Sequence, residues 1–244
     1  MWVDFIKKCK INFNTLRIIA LWMVNPFNVK KLILSTLAIC LILSASAQFK
    51  MGVQGGLNIS KMQNSLQQMI SRTDNIRLGP NLGIMVGMDL GESKLSILQE
   101  FSYSTKGLLY NGLSQAAESV DGNIYINYLE MPLNLLYYSG IGRGHFFFGG
   151  GPYVALGLNG QTKVVYNSKE VETTEIIFGS EPGTVKKTDF GAQGVLGYKL
   201  GYGSYIKLFY SHGLSNLSNT PGESIHNRNV GVCFGYFFGS GRSK

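Results

Sequence analysis

Apolar residues alternate with small or polar residues in eight segments of the chain after residue 47. A period of two places successive side chains on opposite faces of a β-strand. The pattern predicts strands over residues 48–60, 77–90, 95–107, 123–138, 145–158, 188–200, 204–215 and 226–238. Most of these are longer than the roughly five or six residues usual in soluble proteins, and they suit the roughly 9–11 residues of a tilted transmembrane strand.

The connections between these strands alternate strictly between short and long. The short ones are the turns Gly91–Lys94, Ser139–Gly144 and Gly201–Gly203. The long ones are predicted to be polar loops over 61–76, 108–122, 159–187 and 216–225. Short turns at one end and long loops at the other are typical of an up-and-down membrane barrel. We therefore predict an all-β fold, an eight-stranded antiparallel transmembrane β-barrel.

The two faces of each strand differ in polarity. On strand 123–138 the odd positions are apolar with Tyr125 and Tyr137 near the ends, whereas the even positions include Glu130 and Asn134. A soluble barrel would also alternate, but glycine on the polar faces and the lack of charge on the apolar faces favour a membrane barrel with its apolar face outward. The predicted aromatic girdle consists of Tyr103, Tyr125, Tyr137, Tyr198, Tyr236 and Phe238. Gln99 breaks the outward pattern of its strand, and a β-bulge is one explanation.

The polar faces predict a filled interior. An eight-stranded barrel is just wide enough to be filled by side chains, and charges buried there must pair. We predict a lumenal polar network of Glu100, Lys106, Glu130, Asn134, Gln193, Lys199 and Lys207. Its expected role is structural, and a proton or ion relay is the alternative.

The N-terminal segment is typical of an export signal. Lys30-Lys31 precedes the apolar run Leu32–Leu43 and the small residues Ser44–Ala47. This order predicts a signal peptide cleaved after Ala47, with Ala45 and Ala47 forming the peptidase site, and an uncleaved anchor is the alternative. Residues 1–28 do not suit a signal peptide and are expected to be an extended or wrongly assigned N-terminus, with Met1, Met23 and Val29 as possible starts. The expected boundaries are 1–28, 29–47 for the signal peptide, 48–238 for the barrel and 239–244 for a short tail.

Most of the net charge of +8 lies in residues 1–47. Residues 1–47 contain six of the 22 Lys and Arg residues and one of the 14 Asp and Glu residues. The remainder of the chain therefore contains 16 basic and 13 acidic residues. No basic patch of the kind that nucleic acids need is visible. Cys233 is the one cysteine after residue 47, which excludes an intramolecular disulfide and a cysteine-rich zinc site in the mature chain.

Several segments resemble those of a known family. Asn127–Leu133 (NYLEMPL) is the most specific, and Leu98–Gly107, Gly150–Tyr153, Tyr210–Leu214 and the aromatic Phe234–Phe238 accompany it. They are similar to segments of the small outer-membrane β-barrel proteins of the porin-family or PorT-family type. The resemblance implies an exported eight-stranded barrel in the outer membrane of the bacterial cell envelope. It implies no single activity, although some relatives serve a protein-secretion system.

The chain departs from this family pattern in three places. Gln99 stands where the relatives have Pro, and His212 where they have the second Tyr of their YSYGL segment. Six residues also follow Phe238, which blurs the terminal aromatic signal for barrel assembly. None of these differences threatens the expected fold.

No catalytic, metal or cofactor site is expected. Ser211 and His212 are adjacent on a strand and therefore point to opposite faces, and His226 lies in a loop. Gly149–Gly151 lacks the Lys-Ser/Thr of a phosphate loop and is predicted to form a strand bend or a tight inner wall. The expected role is structural or interactive through the long loops, with a small-solute channel or an accessory role in secretion as alternatives. Expected partners are outer-membrane lipid, the barrel-assembly machinery during biogenesis and an unknown extracellular or envelope molecule.

Overall fold

The computed structural model describes residues 49–64, 72–90, 93–113, 119–166 and 169–238. The predictions for 1–28, the signal peptide with Ala45 and Ala47, and the tail 239–244 lie outside the described residues. The strands are β1 (Phe49–Asn64), β2 (Arg72–Asn75), β3 (Arg77–Asp89), β4 (Leu95–Leu113), β5 (Ser119–Ile141), β6 (Gly144–Tyr166), β7 (Lys169–Glu175), β8 (Thr188–Leu200), β9 (Ser204–Gly213) and β10 (Ile225–Phe238). In this part of the chain no helix is long and apolar enough to span a membrane.

Eight of the strands pair into a closed antiparallel ring. The order is β1, β10, β9, β8, β6, β5, β4 and β3, and β3 returns to β1. The two short strands lie off this ring, since β2 pairs with the end of β4 and β7 pairs with the end of β6. The predicted eight-stranded barrel is thereby confirmed, and each of the eight predicted strands overlaps one strand of the ring.

Two of the short turns depend on glycine conformation. Gly142 has φ 64° and Gly203 has φ 105°, both in the left-handed region that favours glycine. The predicted turn Ser139–Gly144 is shorter than expected, because β5 continues to Ile141 and β6 begins at Gly144. The main-chain pairing Ile141↔Gly144 leaves only two residues in the turn.

Three of the four long connections are not the open loops that the sequence predicted, whereas 216–225 does connect β9 to β10. Strand residues occupy parts of 61–76, 108–122 and 159–187, where β1, β4, β5 and β6 extend and β2 and β7 are added. These segments lack a clear alternation of apolar and polar residues, so the sequence does not mark them as strands. Backbone pairing nevertheless continues, as in Asn111↔Asp121 and Val164↔Glu172.

The ring turns its apolar side chains outward and its polar ones inward. Phe234 is 62% exposed, whereas its neighbour Cys233 is fully buried. On β1, the outward residues Met51 to Ile59 cover eight residue steps, about 27 Å along the strand. At a tilt of about 40° this gives about 20 Å of height, close to the roughly 25 Å apolar band of outer-membrane barrels.

Gln99 is accommodated without a bulge. The β4–β5 register is the same on both sides of it, with Gln99↔Leu133 and Ser102↔Glu130. Its amide Nε2 donates to the Glu100 carbonyl oxygen at 2.9 Å and to the Pro132 carbonyl oxygen at 3.2 Å. The suggested bulge was therefore wrong: the side chain keeps its outward position, and backbone carbonyls satisfy its donor group.

Glycine permits close strand approach at the wall formed by β5 and β6. A Cβ atom at Gly151 would lie 1.9 Å from the carbonyl oxygen of Leu133, and one at Gly149 would lie 1.9 Å from that of Leu135. No such restriction applies at Gly194 on β8, where a Cβ atom would have no neighbour within 4 Å. The predicted tight wall at Gly149–Gly151 is thus a steric feature of the backbone.

We expect Gly151→Ala to lower the free energy of unfolding by about 1–3 kcal/mol, because the methyl group forces β5 and β6 apart. Gly194→Ala is the matched control and should change it by less than about 0.5 kcal/mol. Urea unfolding of the detergent-folded proteins, followed by electrophoretic mobility with and without heating, measures both. Equal stability of the two variants would contradict the steric argument.

Candidate functional site

A buried ion pair lies in the lumen between β4 and β9. The Nζ of Lys207 donates to Oε1 and Oε2 of Glu100 at 2.7 and 2.6 Å and to Oε1 of Gln54 at 3.0 Å. The Nε2 of Gln54 donates to Glu100 Oε2 at 2.6 Å. The Lys207 and Glu100 side chains are only 1% and 2% exposed, so each charge depends on the other for compensation.

Amide and hydroxyl groups extend this ion pair across the lumen. Asn134 Nδ2 donates to Gln193 Oε1 at 3.0 Å, and Gln193 Nε2 donates to Ser211 Oγ at 3.0 Å. Asn134 Nδ2 also lies 3.5 Å from Glu100 Oε1. Four of the predicted lumenal residues, Glu100, Asn134, Gln193 and Lys207, therefore meet in one network that involves β1, β4, β5, β8 and β9.

A second ion pair joins Lys106 of β4 to Glu130 of β5. Lys106 is completely buried. Its Nζ lies 4.8 Å from the ring centroid of Tyr153 and 5.6 Å from that of Tyr128, close enough for cation–π attraction. The two predicted residues form their own layer, separate from the network around Lys207.

A third carboxylate, Asp189, is held by neutral donors. Ser215 Oγ donates to its Oδ1 at 2.6 Å, and Tyr153 Oη and Asn227 Nδ2 donate to its Oδ2 at 3.1 and 2.9 Å. Asp189 is completely buried and was not among the predicted network residues. Its inward position on β8 was the available signal, because β8 alternates strictly between exposed and buried residues at this end.

Lys199 does not join the network to which the sequence assigned it. Its Nζ lies 5.2 Å from the Phe237 ring, and its electrostatic neighbours are Lys50 and Asp89. Lys50 and Asp89 form an ion pair, and Ser96 Oγ donates to Asp89 at 2.7 Å. Lys199 faces inward, as the alternation predicted. It lies beside the Gly201–Gly203 turn at the mouth of the barrel, however, and not at the level of the network around Lys207.

Two apolar clusters close the lumen on either side of these polar groups. The cluster nearer the short turns consists of Met85, Leu98, Leu136, Phe147, Val195, Tyr205, Phe209, Cys233 and Phe237. The cluster nearer the long connections consists of Met62, Leu108, Ile126, Tyr128, Tyr153 and Ala155. The side chains of both clusters are buried inside the ring, so polar and apolar layers follow one another along the described lumen.

The predicted girdle residues lie on the outward face. Tyr103, Tyr236 and Phe238 are exposed, and Tyr198 is half-buried on the outward side of β8. Tyr137 packs against Phe148 with ring centroids 5.5 Å apart. Aromatic residues at the ends of an apolar belt are suited to the interface between hydrocarbon and water.

On β5 the apolar belt ends below Tyr125. Asn127 accepts a hydrogen bond from Thr105 Oγ1 at 2.7 Å and donates from Nδ2 to Asn159 Oδ1 at 2.7 Å, which forms a polar row across β4, β5 and β6. Tyr125 lies two residues beyond this row, and its hydroxyl donates to Gln161 Oε1 at 2.7 Å. Tyr125 thus has polar partners above the belt, Gln161 and the Arg77 guanidinium, whose Cζ lies 4.7 Å from the ring centroid.

Past this row the strands continue as a sheet. We call the projecting sheet the set of residues 72–75, 109–113, 119–125, 160–166 and 169–175. It contains β2 and β7 as its two edges and the ends of β4, β5 and β6 between them. The edge residues Glu172–Glu175 are exposed. Charged side chains on an edge strand oppose unspecific pairing with other chains.

The residues considered for catalysis do not converge. Ser211 is buried in the lumen, whereas His212 lies on the outward face with its Nδ1 3.1 Å from the Tyr210 hydroxyl. His226 Nε2 pairs with Ser224 Oγ at 2.8 Å. Within the described ranges, no group of three His, Cys, Asp or Glu residues could hold a metal ion.

The family described as outer membrane protein beta-barrel domain matches residues 44–219 of the chain. Among solved structures, OprG from Pseudomonas aeruginosa is similar at 14% identity, with 79% of this chain and 96% of that chain covered and a TM-score of 0.45. Neisserial surface protein A is similar at 10% identity, with coverage of 76% and 96% and a TM-score of 0.40. Ail of Yersinia pestis is similar at 11% identity, with coverage of 78% and 99% and a TM-score of 0.38. No protein with a curated description matches the sequence.

We expect Lys207→Met to lower the free energy of unfolding by about 3–5 kcal/mol, because Glu100 is left buried without its counter-charge. The double variant Glu100→Leu/Lys207→Met should lose less than the sum of the two single variants, because it removes both charges together. Glu172→Gln, at an exposed site, is the control and should lie within about 0.5 kcal/mol of the parent chain. Denaturant unfolding in detergent micelles checks this, and strictly additive losses would refute the pairing.

Proposed function

The chain belongs to the outer membrane protein β-barrel domain family, and on this premise we propose that it is a closed, non-conducting barrel that presents its projecting sheet for binding outside the cell. The observation that carries the proposal is the length of the central strands. β4, β5 and β6 have 19, 23 and 23 residues, about twice the roughly 9–11 that span the membrane. A chain that only crossed the membrane would not need this additional paired structure.

The filled lumen supports a binding role over a channel. Two ion pairs, a carboxylate with three donors and two apolar clusters occupy the space through which a solute would have to pass. Eight-stranded barrels leave little room beyond their own side chains. The polar groups of the lumen are therefore assigned a structural role, and a small-solute channel is the alternative.

The location and the absence of catalysis form part of the same proposal. The family places the barrel in the bacterial outer membrane, with the short turns facing the periplasm by analogy with other barrels of this kind. Cleavage after Ala47 would deliver the exported chain, and the NYLEMPL segment supports the narrower porin-family or PorT-family assignment. The separation of Ser211 from His212 supports a protein that is not an enzyme.

Planar bilayers with the purified chain should show no sustained stepwise current, because the lumen is filled. Glu130→Gln should lower the thermal stability, since it leaves Lys106 buried without a charged partner, and it should still give no current. Current recordings at both polarities, together with thermal unfolding of the same preparations, make the test. Sustained open currents from the parent chain would establish the channel alternative instead.

Photo-crosslinking in intact cells tests the binding role directly. A photoreactive residue at Glu172, on the edge of the projecting sheet, is expected to give adducts with an extracellular or envelope molecule. The matched control is the same residue at Lys94, which is exposed in a short turn at the opposite end of the barrel. Adducts from Lys94 alone would contradict the proposal and favour the accessory role in secretion from the periplasmic side.

A further inference from the structure

The outward apolar surface ends in one row on the neighbouring strands β1 and β10. Ile59 of β1 is opposite Val230 of β10, and Val230 is opposite Tyr210 of β9. All three side chains are exposed on the outer wall of the barrel. On β1 and β10 this row marks the upper limit of the apolar belt, at the end that carries the long connections, whereas on β9 the exposed Leu214 follows His212.

The next outward row on the same strands is basic. Lys61 is opposite Arg228, and Arg228 is opposite His212. Lys61 and Arg228 are exposed, and His212 is half-buried. Directly opposed residues on neighbouring antiparallel strands have Cα atoms about 4.5–5.5 Å apart, so the three side chains leave the wall as one group.

This basic group has no acidic partner in the described part of the chain. Neither Lys61 nor Arg228 forms an ion pair with a described residue, and the carboxylate of Glu223 in the β9–β10 hairpin accepts a hydrogen bond from Ser218 at 2.7 Å. Like charges that directly oppose each other across two strands are destabilising. An anion that binds between Lys61 and Arg228 would remove this repulsion.

His212 is oriented toward the same group. Its Nδ1 lies 3.1 Å from the Tyr210 hydroxyl, which holds the ring on the outer wall of the barrel. Its other ring nitrogen, Nε2, has no partner among the residues that the structure describes. A tyrosine-held imidazole beside two cations provides a third donor for a tetrahedral oxyanion.

The opposite side of the barrel shows that this arrangement is specific to β1, β10 and β9. There the belt ends in Thr105, Asn127 and Asn159, which are neutral and bond to one another at 2.7 Å. Those polar groups need no further ligand. Lys61, Arg228 and His212 also lie where an apolar surface ends, but they present donors and positive charge without an acceptor to bond to.

We propose that Lys61, Arg228 and His212 bind the phosphate group of an anionic lipid in the outer leaflet of the membrane. The phosphate accepts hydrogen bonds from the three side chains, and the acyl chains lie against Ile59 and Val230 directly below. Basic residues at the membrane surface attract anionic headgroups in this way. The apolar row beneath the cations selects a lipid rather than a soluble anion. This site is independent of the proposed role of the projecting sheet.

The test compares lipid binding by the full folded chain in nanodiscs. The discs contain phosphatidylcholine with either phosphorylated lipid A or the same lipid with its phosphates removed, and native mass spectrometry counts the retained lipid. The variant Lys61→Gln/Arg228→Gln is expected to retain phosphorylated lipid A roughly thirtyfold more weakly. Lys186→Gln/Lys187→Gln, which removes the same charge from an exposed connection, and the charge-conserving Lys61→Arg/Arg228→Lys should bind as the parent chain does.

Thermal stability of the protein in the same discs gives a second readout, which is independent of the number of lipid molecules retained. With the phosphate-free lipid, Lys61→Gln/Arg228→Gln should be at least as stable as the parent chain, because the repulsion between the two cations is gone. With phosphorylated lipid A, the parent chain should gain thermal stability and the variant should not. Inorganic phosphate should not reproduce the gain.

Three results would overturn the proposal. They are equal retention of phosphorylated lipid A by the parent chain and Lys61→Gln/Arg228→Gln, equal retention of the two lipids by the parent chain, and full reproduction of the gain by inorganic phosphate. If the double variant does not fold, Lys61→Gln alone is measured by the same criteria.

Discussion

The closed ring of main-chain hydrogen bonds is the constraint on which the rest of this structure depends. Hydrocarbon offers no partner to a backbone N–H or carbonyl group, so a sheet that crosses a membrane must close on itself. Once β1 pairs with both β10 and β3, every strand of the ring has two neighbours and a fixed outer and inner face. The exposed Phe234 and the buried Cys233 follow from that closure. So does the position of Gln99, whose outward amide is bonded to the carbonyl oxygen of Pro132.

Closure also explains why the lumen is built from contacts between strands that are distant in the sequence. Lys207 bonds to Glu100 and Gln54, which lie 107 and 153 residues away along the chain. These bonds exist only when β1, β4 and β9 face one another across a complete ring. A buried ion pair gives little net stability over apolar packing, but a half-made pair costs several kcal/mol. The pairing thereby penalises open or misregistered rings more than it stabilises the closed one.

The sequence was informative wherever a strand separates two unlike environments. The alternation on β5 and β10 predicted both faces, and it placed Glu130 and Asn134 inward. It was uninformative at the ends of β4, β5 and β6, which lack a clear alternation and were therefore expected to be loops. The alternation also does not specify how deep in the barrel a residue lies. Lys199 was therefore grouped with a network that lies deeper in the barrel. The same alternation placed Asp189 on the inward face. Its hydrogen-bond donors come from β6, β10 and the connection after β9, and the pattern of a single strand does not reveal them.

The register between strands is the information that a single strand lacks, and it is what distinguishes the two sides of the barrel rim. Lys61, Arg228 and His212 are unremarkable in their own segments and form a group only because β1, β10 and β9 are aligned. On the β4–β6 side, the amide row around Asn127 is followed by paired strands that continue away from the membrane. A lipid phosphate held on the β1–β10–β9 side would therefore bind beside the projecting sheet and not beneath it. Attachment to the leaflet and presentation of the sheet would then occupy different arcs of the same ring and would not compete for surface.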